Sequence, residues 1–272
     1  DEQSAGFSEM RMREGMNQQD LESVTGIQRG FVISDRIEAT VLAERLEILS
    51  GNSRSATALG GGVSFGDPLW QGDTRLELRR LDADPSAASD NTADSVMSSV
   101  SFARKVSGNW TGLVRNYLLF TDEHSRAGSQ LQNRFQVGAA YRPIGTNTFD
   151  MLLRYENKIE RNAELASDET RRVNILSASW NLHPSRRLWV SGRVAAKDVT
   201  ETLVDVEDDY RAWLFASRVI FDVGPRLDVS AMAGVMTSSA DGARDEAFGI
   251  EVGYLVKENL WLSLGHNFVG FY

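Results

Sequence analysis

The pair His124 and Ser125 lies in a polar stretch that also holds Asp122 and Glu123. Serine, histidine and a carboxylate are the residue types of a hydrolase with an activated serine nucleophile. Here, however, all of them fall within one short segment, and no oxyanion-binding framework accompanies them. A solvated loop explains the segment better than an active site. The sequence therefore predicts no enzymatic activity and no catalytic residue.

Other residues with metal-binding or phosphate-binding chemistry also lack the spacing that a site requires. Asp205 and the acidic residues 207–209 offer carboxylate oxygens to a cation, but without the spacing of a calcium-binding loop, so an acidic outer loop is favoured. The run Gly60–Gly62 resembles a phosphate-binding loop, yet no Lys-Ser/Thr follows it and no helix begins there. The chain has no cysteine and only three well-separated histidines. We expect neither a metal nor a cofactor.

Composition restricts the class of protein further. The 272 residues carry a net charge of −9, which argues against nucleic acid as a partner because a nucleic-acid-binding surface is basic. No run of about 18 apolar residues is present, so no transmembrane helix is predicted. The chain starts at Asp1 without a signal peptide, which indicates a mature or excised piece of a longer protein.

Alternation of apolar and polar residues is the dominant pattern of the chain, and helical spacing hardly occurs. From Phe248 to Val256, for example, Phe, Ile, Val, Tyr and Val share one parity. A period of two over a long segment indicates a strand with two different faces. The candidate strands run about ten to thirteen residues, the length with which a tilted strand crosses a bilayer. Fifteen are predicted, at 4–12, 23–33, 37–49, 57–65, 73–81, 94–105, 110–120, 130–142, 147–159, 171–183, 187–197, 209–222, 227–236, 247–256 and 260–271.

The connections alternate between short and long along almost the whole chain. Short ones near 34–36 and 106–109 contain turn residues, whereas long ones near 82–93 and 198–208 are strongly polar. An up-and-down outer-membrane barrel has this alternation, with short periplasmic turns and longer extracellular loops. The sequence thus predicts an all-β, antiparallel transmembrane barrel, formed by residues 1–272 as a single domain in the outer membrane of a Gram-negative bacterium.

In such a barrel one parity of each strand faces lipid and the other faces the lumen. The lipid parity is rich in aliphatic and aromatic residues, so outer-membrane lipid and lipopolysaccharide are expected partners; for strand 23–33 the parity is not assigned. The opposite parity collects charges of both signs, which a dry core does not tolerate unpaired. This predicted lumen-lining ladder consists of Arg75, Glu77, Arg79, Arg115, Arg134, Arg154, Glu156, Lys158, Arg193, Lys197, Arg218 and Glu251. A selectivity ladder in a pore and an ion-pair network that stiffens the wall both remain open interpretations.

Tryptophans cluster near the predicted short turns, and Trp213, near a long loop, is the exception. Clustering at one end of the strands is typical of an aromatic girdle at a membrane interface. Tryptophan also favours strand ends in other β proteins, which is the alternative interpretation. The predicted girdle consists of Trp70, Trp110, Trp180, Trp189 and Trp261.

Three stretches of the chain carry a family resemblance. They run from Leu131 to Pro143, between His183 and Lys197, and from Glu251 to Phe271. Together they resemble the C-terminal outer-membrane barrel of large proteobacterial surface proteins. In that family many repeat domains precede the barrel, which implies other domains or chains of a surface complex as partners. In the same family, the stretch similar to Asn267–Phe271 is followed by a loop and one more strand.

The function implied by this resemblance is an integral barrel that anchors or exports a larger cell-surface assembly. The alternative is a diffusion porin or solute channel with a charged, polar lumen, and composition alone favours neither. Fifteen antiparallel strands leave the first and the last running the same way, so strands 4–12 and 260–271 are not expected to pair directly. We expect at least one further strand, sixteen or more in total, and a chain truncated at its C-terminal end.

Overall fold

The structure, a computed structural model, describes residues 3–14, 19–50, 55–82, 92–124, 128–164, 167–203 and 206–269. These residues contain no helix that is long and apolar enough to span a membrane. Within these ranges the chain forms fifteen strands. They are β1 (Gln3–Glu14), β2 (Gln19–Ser34), β3 (Ile37–Ser50), β4 (Ser55–Gly66), β5 (Trp70–Asp82), β6 (Ala93–Lys105), β7 (Trp110–Glu123), β8 (Gly128–Tyr141), β9 (Phe149–Glu164), β10 (Ser167–Ser185), β11 (Leu188–Leu203), β12 (Val206–Gly224), β13 (Leu227–Ser238), β14 (Arg244–Lys257) and β15 (Leu260–Val269).

Each strand pairs antiparallel with the strand that follows it, and the sheet has the order β1 to β15 without a crossover. Alternation favours this arrangement because neighbouring strands place their apolar parity on the same side. Val229 of β13, for example, lies opposite Phe221 of β12 and Val252 of β14. The predicted all-β, antiparallel, up-and-down architecture is confirmed.

At one end of the sheet, which we call the short-turn end, the connections have two to seven residues. They comprise 35–36, 67–69, 106–109, 142–148, 186–187, 225–226 and 258–259, close to their predicted positions. Asp67 illustrates their chemistry, since its carboxylate accepts hydrogen bonds from the backbone amides of Leu69 (2.7 Å) and Trp70 (2.8 Å). The opposite end, where the sequence predicts the longer connections, is called the long-loop end.

The strands reach further toward the long-loop end than the sequence predicted. Much of 160–170 and 198–208, predicted as loops, belongs to β9 to β12, which span 16 to 19 residues. The acidic residues 207–209 therefore lie in β12 and not in an outer loop. Their polar composition suggested a loop, but β11 supplies the backbone partners, since residues 200–202 lie directly opposite residues 207–209. Cross-strand ion pairs also form near this end, such as Arg171 Nε to Glu201 Oε1 at 2.6 Å.

The strands β1 and β15 run in the same direction, from the short-turn end to the long-loop end, as an odd number of antiparallel strands requires. In the described residues the two do not pair with each other, so each is an edge strand of the sheet. Because β1 and β15 run in the same direction, an antiparallel ring closes between them only with an odd number of additional strands. At least one such strand is expected, because an open edge in lipid leaves backbone groups unpaired. That further strand stays a prediction.

Candidate functional site: the charged inner face

The strand register sorts the side chains into two faces, because residues directly opposite each other on paired strands point to the same side. Glu77 of β5 lies opposite Met97 of β6, which in turn lies opposite Leu119 of β7. Followed in this way from β5 to β14, the register places the whole predicted ladder on one face. These residues are Arg75, Glu77, Arg79, Arg115, Arg134, Arg154, Glu156, Lys158, Arg193, Lys197, Arg218 and Glu251.

This face is the concave one. A cavity of about 720 Å³ extends from β3 to β9, and its lining includes Arg115 and Arg154. A second cavity of about 730 Å³ extends from β9 to β15, and its lining includes Arg193 and Arg218. Seven consecutive strands can border one cavity only on the inner side of a curved sheet. The ladder residues therefore line the interior of the wall, and their role in a water-filled lumen stays a prediction.

The opposite, outward face exposes large apolar side chains. Leu76 and Leu78 of β5 are 51% and 52% exposed, and Leu264 of β15 is 82% exposed. On β2, whose parity the sequence left unassigned, Ile27 is on this outward face and Gln28 is on the inner one. So large an exposed apolar surface is unfavourable in water and is the normal outer surface of a membrane barrel.

A buried carboxylate surrounded by three side chains lies on the inner face. Glu156 of β9 is buried and accepts hydrogen bonds from Arg134 Nε (2.7 Å) and Gln136 Nε2 (2.8 Å) of β8. The Nη2 of Arg154 lies 3.9 Å from its Oε2. The register brings the group together, since Gln136 is directly opposite Glu156 and Arg154 precedes it on the same face. These cations and the amide offset the cost of burying the charge.

Two other acidic residues pair with arginines of the ladder. Glu77 is buried and forms ion pairs with Arg75 and Arg79. In each pair the Nη2 atom of the arginine lies 2.9 Å from an oxygen of the Glu77 carboxylate. Farther along the sheet, the Nη2 of Arg218 lies 2.6 Å from Oε2 of Glu251. These contacts support the ion-pair interpretation for this part of the ladder.

Two arginine side chains of the ladder have no acidic partner among the described residues. Within the part of the chain that the structure describes, Arg115 and Arg193 form no ion pair, and each lines one of the two cavities. Lys197 instead lies over the ring of Tyr210, at 5.5 Å from its centroid. The inner face thus combines a paired network with unpaired guanidinium groups beside the cavities.

The tryptophans predicted as a girdle divide between the two faces. Trp70, Trp110 and Trp180 have outward parity near the short-turn end. Trp189 and Trp261 have the opposite parity and belong to the inner face. Nearness to a turn does not decide the face of a residue, because parity within the strand does. The girdle is corrected for these two tryptophans and stays a prediction for the other three.

The other motifs singled out in the sequence do not form a site. His124 lies in the turn after β7, with Nε2 3.7 Å from Oδ2 of Asp94, and Ser125 falls outside the described residues. Gly60–Gly62 lies in β4, where a Cβ on Gly62 would approach the backbone oxygen of Thr74 to 2.9 Å, so close packing explains this glycine. Over the described ranges, no group of three or more acidic or histidine side chains is placed to hold a metal ion.

Comparison with known proteins bears on the fold alone. No protein-family model and no curated protein matches the chain. The solved alcaligin outer-membrane receptor FauA of Bordetella pertussis is similar over 98% of this chain and 50% of its own, with a TM-score of 0.66 and 10% identity. OmpT, an outer-membrane protein of Vibrio cholerae, is similar over 97% of both chains, with a TM-score of 0.40 and 9% identity. The chain spans half the length of FauA, and it has the fold of an outer-membrane β-barrel.

Proposed function

We propose that the chain is an integral barrel of the bacterial outer membrane that anchors or exports a larger cell-surface assembly, with its short turns in the periplasm. The observation that supports this proposal is a wall taller than the membrane requires. β10 and β12 each span 19 residues. At the usual rise, such a strand is about 60 Å long, whereas the apolar band of an outer-membrane barrel is about 25 Å tall. Even when strongly tilted, these strands extend beyond the lipid.

The part of the wall near the long-loop end is a polar sheet held by ion pairs. Arg161 Nη2 lies 2.9 Å from Oδ2 of Asp168, and Arg211 Nε lies 3.0 Å from Oδ2 of Asp198. Exposed pairs contribute little stability each, but they keep this sheet hydrated and regular outside the membrane. A polar rim of this kind offers an attachment surface to neighbouring domains, as the resemblance to barrels of large surface proteins implies.

The direction of β1 connects anchoring with export. β1 begins with Gln3 at the short-turn end. Residues joined ahead of it therefore enter the wall from the periplasm in the proposed orientation. To reach the cell surface they have to cross the lumen, and after crossing they remain attached to the barrel.

An epitope joined ahead of Asp1 tests this proposal in cells that carry the barrel in their outer membrane. Export predicts that antibody labels the epitope on intact cells and that external protease removes the label. A matched control carries the epitope in the short turn between Pro225 and Arg226, and should be labelled only after the outer membrane is permeabilised. Labelling of the upstream epitope only after permeabilisation contradicts export. Labelling of the control on intact cells contradicts the orientation.

A diffusion channel is the second candidate function, supported by the two inner cavities and by the unpaired Arg115 and Arg193. Single-channel recording in planar bilayers tests it. A channel of this kind should show a steady conductance, and the double variant Arg115→Ser with Arg193→Ser should shift the ion selectivity toward cations, because two positive charges leave the lumen wall. An open channel without epitope export favours the channel, and export without steady conductance favours the anchor.

A further inference from the structure

Four asparagines interrupt the apolar outward face on four neighbouring strands. Asn116 lies on β7, Asn133 on β8, Asn157 on β9 and Asn174 on β10, and the register gives all four outward parity. On β7, β8 and β9 the next outward residues on both sides are apolar or aromatic. These are Val114 and Leu118, Leu131 and Phe135, and Tyr155 and Ile159. The amides of Asn116, Asn133 and Asn157 therefore lie within the apolar band and not at its rim.

Two of these asparagines share hydrogen bonds, and the other two each have an oxygen without a donor. Asn157 Nδ2 donates to Asn174 Oδ1 (2.8 Å), and the Tyr155 hydroxyl donates to the same oxygen (3.0 Å). The Oδ1 atoms of Asn116 and Asn133 are buried and accept no hydrogen bond from any described residue. A buried oxygen without a donor is costly, and lipid chains supply no donor.

We propose that Asn116 and Asn133, which we call the amide patch, form a contact surface between two copies of this barrel in the membrane. An amide both donates and accepts, so the same patch on a second copy supplies the donor that each oxygen lacks. Such a contact is self-complementary under two-fold symmetry, the commonest symmetry of protein dimers. Both residues are partly exposed on the outward face, and rotation about the terminal side-chain bond exchanges the positions of the amide oxygen and the amide nitrogen.

The register also explains why the two amides act together. Asn133 is directly opposite Leu118, the outward residue that follows Asn116 on β7. The two asparagines are therefore diagonal neighbours across one strand pair, close enough to meet a single partner surface. Polar side chains that hydrogen-bond between membrane-embedded segments stabilise their association.

The inference rests on the proposed position of the outward face in lipid, so the test measures membrane insertion separately. The chain has no cysteine, and a single introduced cysteine can therefore form a disulfide only with a second copy. Leu118→Cys places a thiol beside the amide patch, and Val252→Cys places one on the outward face of β14, six strands away from β8. Flotation of each variant with phospholipid vesicles establishes insertion before oxidation.

We expect Leu118→Cys to form a disulfide-linked dimer and Val252→Cys to remain monomeric. Adding Asn116→Leu and Asn133→Leu should lower the dimer yield of Leu118→Cys on the order of tenfold, the effect of losing a few hydrogen bonds between membrane-embedded segments. Equal cross-linking at both positions, or an unchanged yield with the two leucines, overturns the proposal. Monomers at both positions in floated vesicles overturn it as well. Failure to float overturns the proposed membrane location, and the inference with it.

Discussion

The indole ring of Trp180 on β10 lies directly over Gly192 on β11. The two residues are opposite each other on the outward face, and a Cβ atom at Gly192 would overlap Cζ2 of the ring. Gly192→Ala should therefore displace the indole or bend the strand, and lower the free energy of unfolding by about 1–3 kcal/mol, the usual cost of overpacking. Reversible urea unfolding in lipid vesicles, followed by tryptophan fluorescence, measures this change.

Gly112→Ala is the matched control for this substitution. Gly112 is an outward glycine of β7, and the nearest atom to an added Cβ is Cγ2 of Val106 at 3.8 Å, an ordinary contact. We expect little change in the free energy of unfolding. Equal losses in the two variants would mean that the indole does not limit the space at Gly192.

The buried carboxylate of Glu156 supports a second prediction. Its side chain is 5% exposed and accepts charge-assisted hydrogen bonds from Arg134. Glu156→Gln removes the charge that Arg134 and Arg154 surround, and should lower the free energy of unfolding by about 1.5–3 kcal/mol. The outward pair Arg244 and Glu246 is the control, because both side chains are more than half exposed. Glu246→Gln should cost no more than about 1 kcal/mol, and a similar loss from both variants would contradict the role of burial.

The assignment of the two faces makes a third prediction. Val252 of β14 is 43% exposed on the outward face, opposite Val229 and Leu264. Val252→Arg should lower the free energy of unfolding in vesicles by about 2–4 kcal/mol if the residue lies near the bilayer midplane. Ser263→Arg on the inner face of β15 is the control and should cost much less. Glu251 is less suitable as a control because it pairs with Arg218 at 2.6 Å. Comparable losses from the valine and serine variants would show that the faces are assigned wrongly.

The turn at Asp67 predicts a pH dependence of stability. The backbone amides of Leu69 and Trp70 donate to its carboxylate and hold the pKa of Asp67 below its ordinary value. A lowered pKa in the folded state means that the charged form stabilises the fold above the pKa of the unfolded chain, about 4. This contribution is lost as the pH falls through the lower pKa of the folded state.

We therefore expect Asp67→Ala to unfold at a lower temperature than the parent chain at neutral pH. The difference should shrink as the pH falls below about 4, in thermal unfolding followed in detergent. Asp67→Asn is the control, because it keeps an oxygen for the two amides but does not titrate, so its stability relative to Asp67→Ala should not change with pH. A difference between Asp67→Ala and the parent that stays constant over the whole pH range would be evidence against the hydrogen-bonded carboxylate.

The alternation of the sequence determined much of this fold. It predicted fifteen strands in an up-and-down order, the short turns, and the outward parity of residues such as Val252, because a period of two is a local property that each strand expresses by itself. Length also carried information, since strands of this length suit a membrane barrel. The alternation also showed that Asn116 interrupts the apolar parity of its strand. It could not show that the Asn116 side-chain oxygen lacks a hydrogen-bond donor among the described residues, because such donors lie on other strands.

Only the tertiary structure decided how far the strands extend, which side chains meet and which remain unpaired. The acidic residues 207–209 continue β12 because β11 pairs with them, and polar composition cannot reveal a partner strand. Trp189 and Trp261 are near turns as predicted, yet the register places them on the inner face. Glu156 forms an ion pair with Arg134, whereas Arg115 has no acidic partner in the described residues. These outcomes depend on the alignment of neighbouring strands and the curvature of the sheet. A shift of one residue exchanges the two faces, and no local pattern specifies the alignment of strands that meet only when the sheet forms.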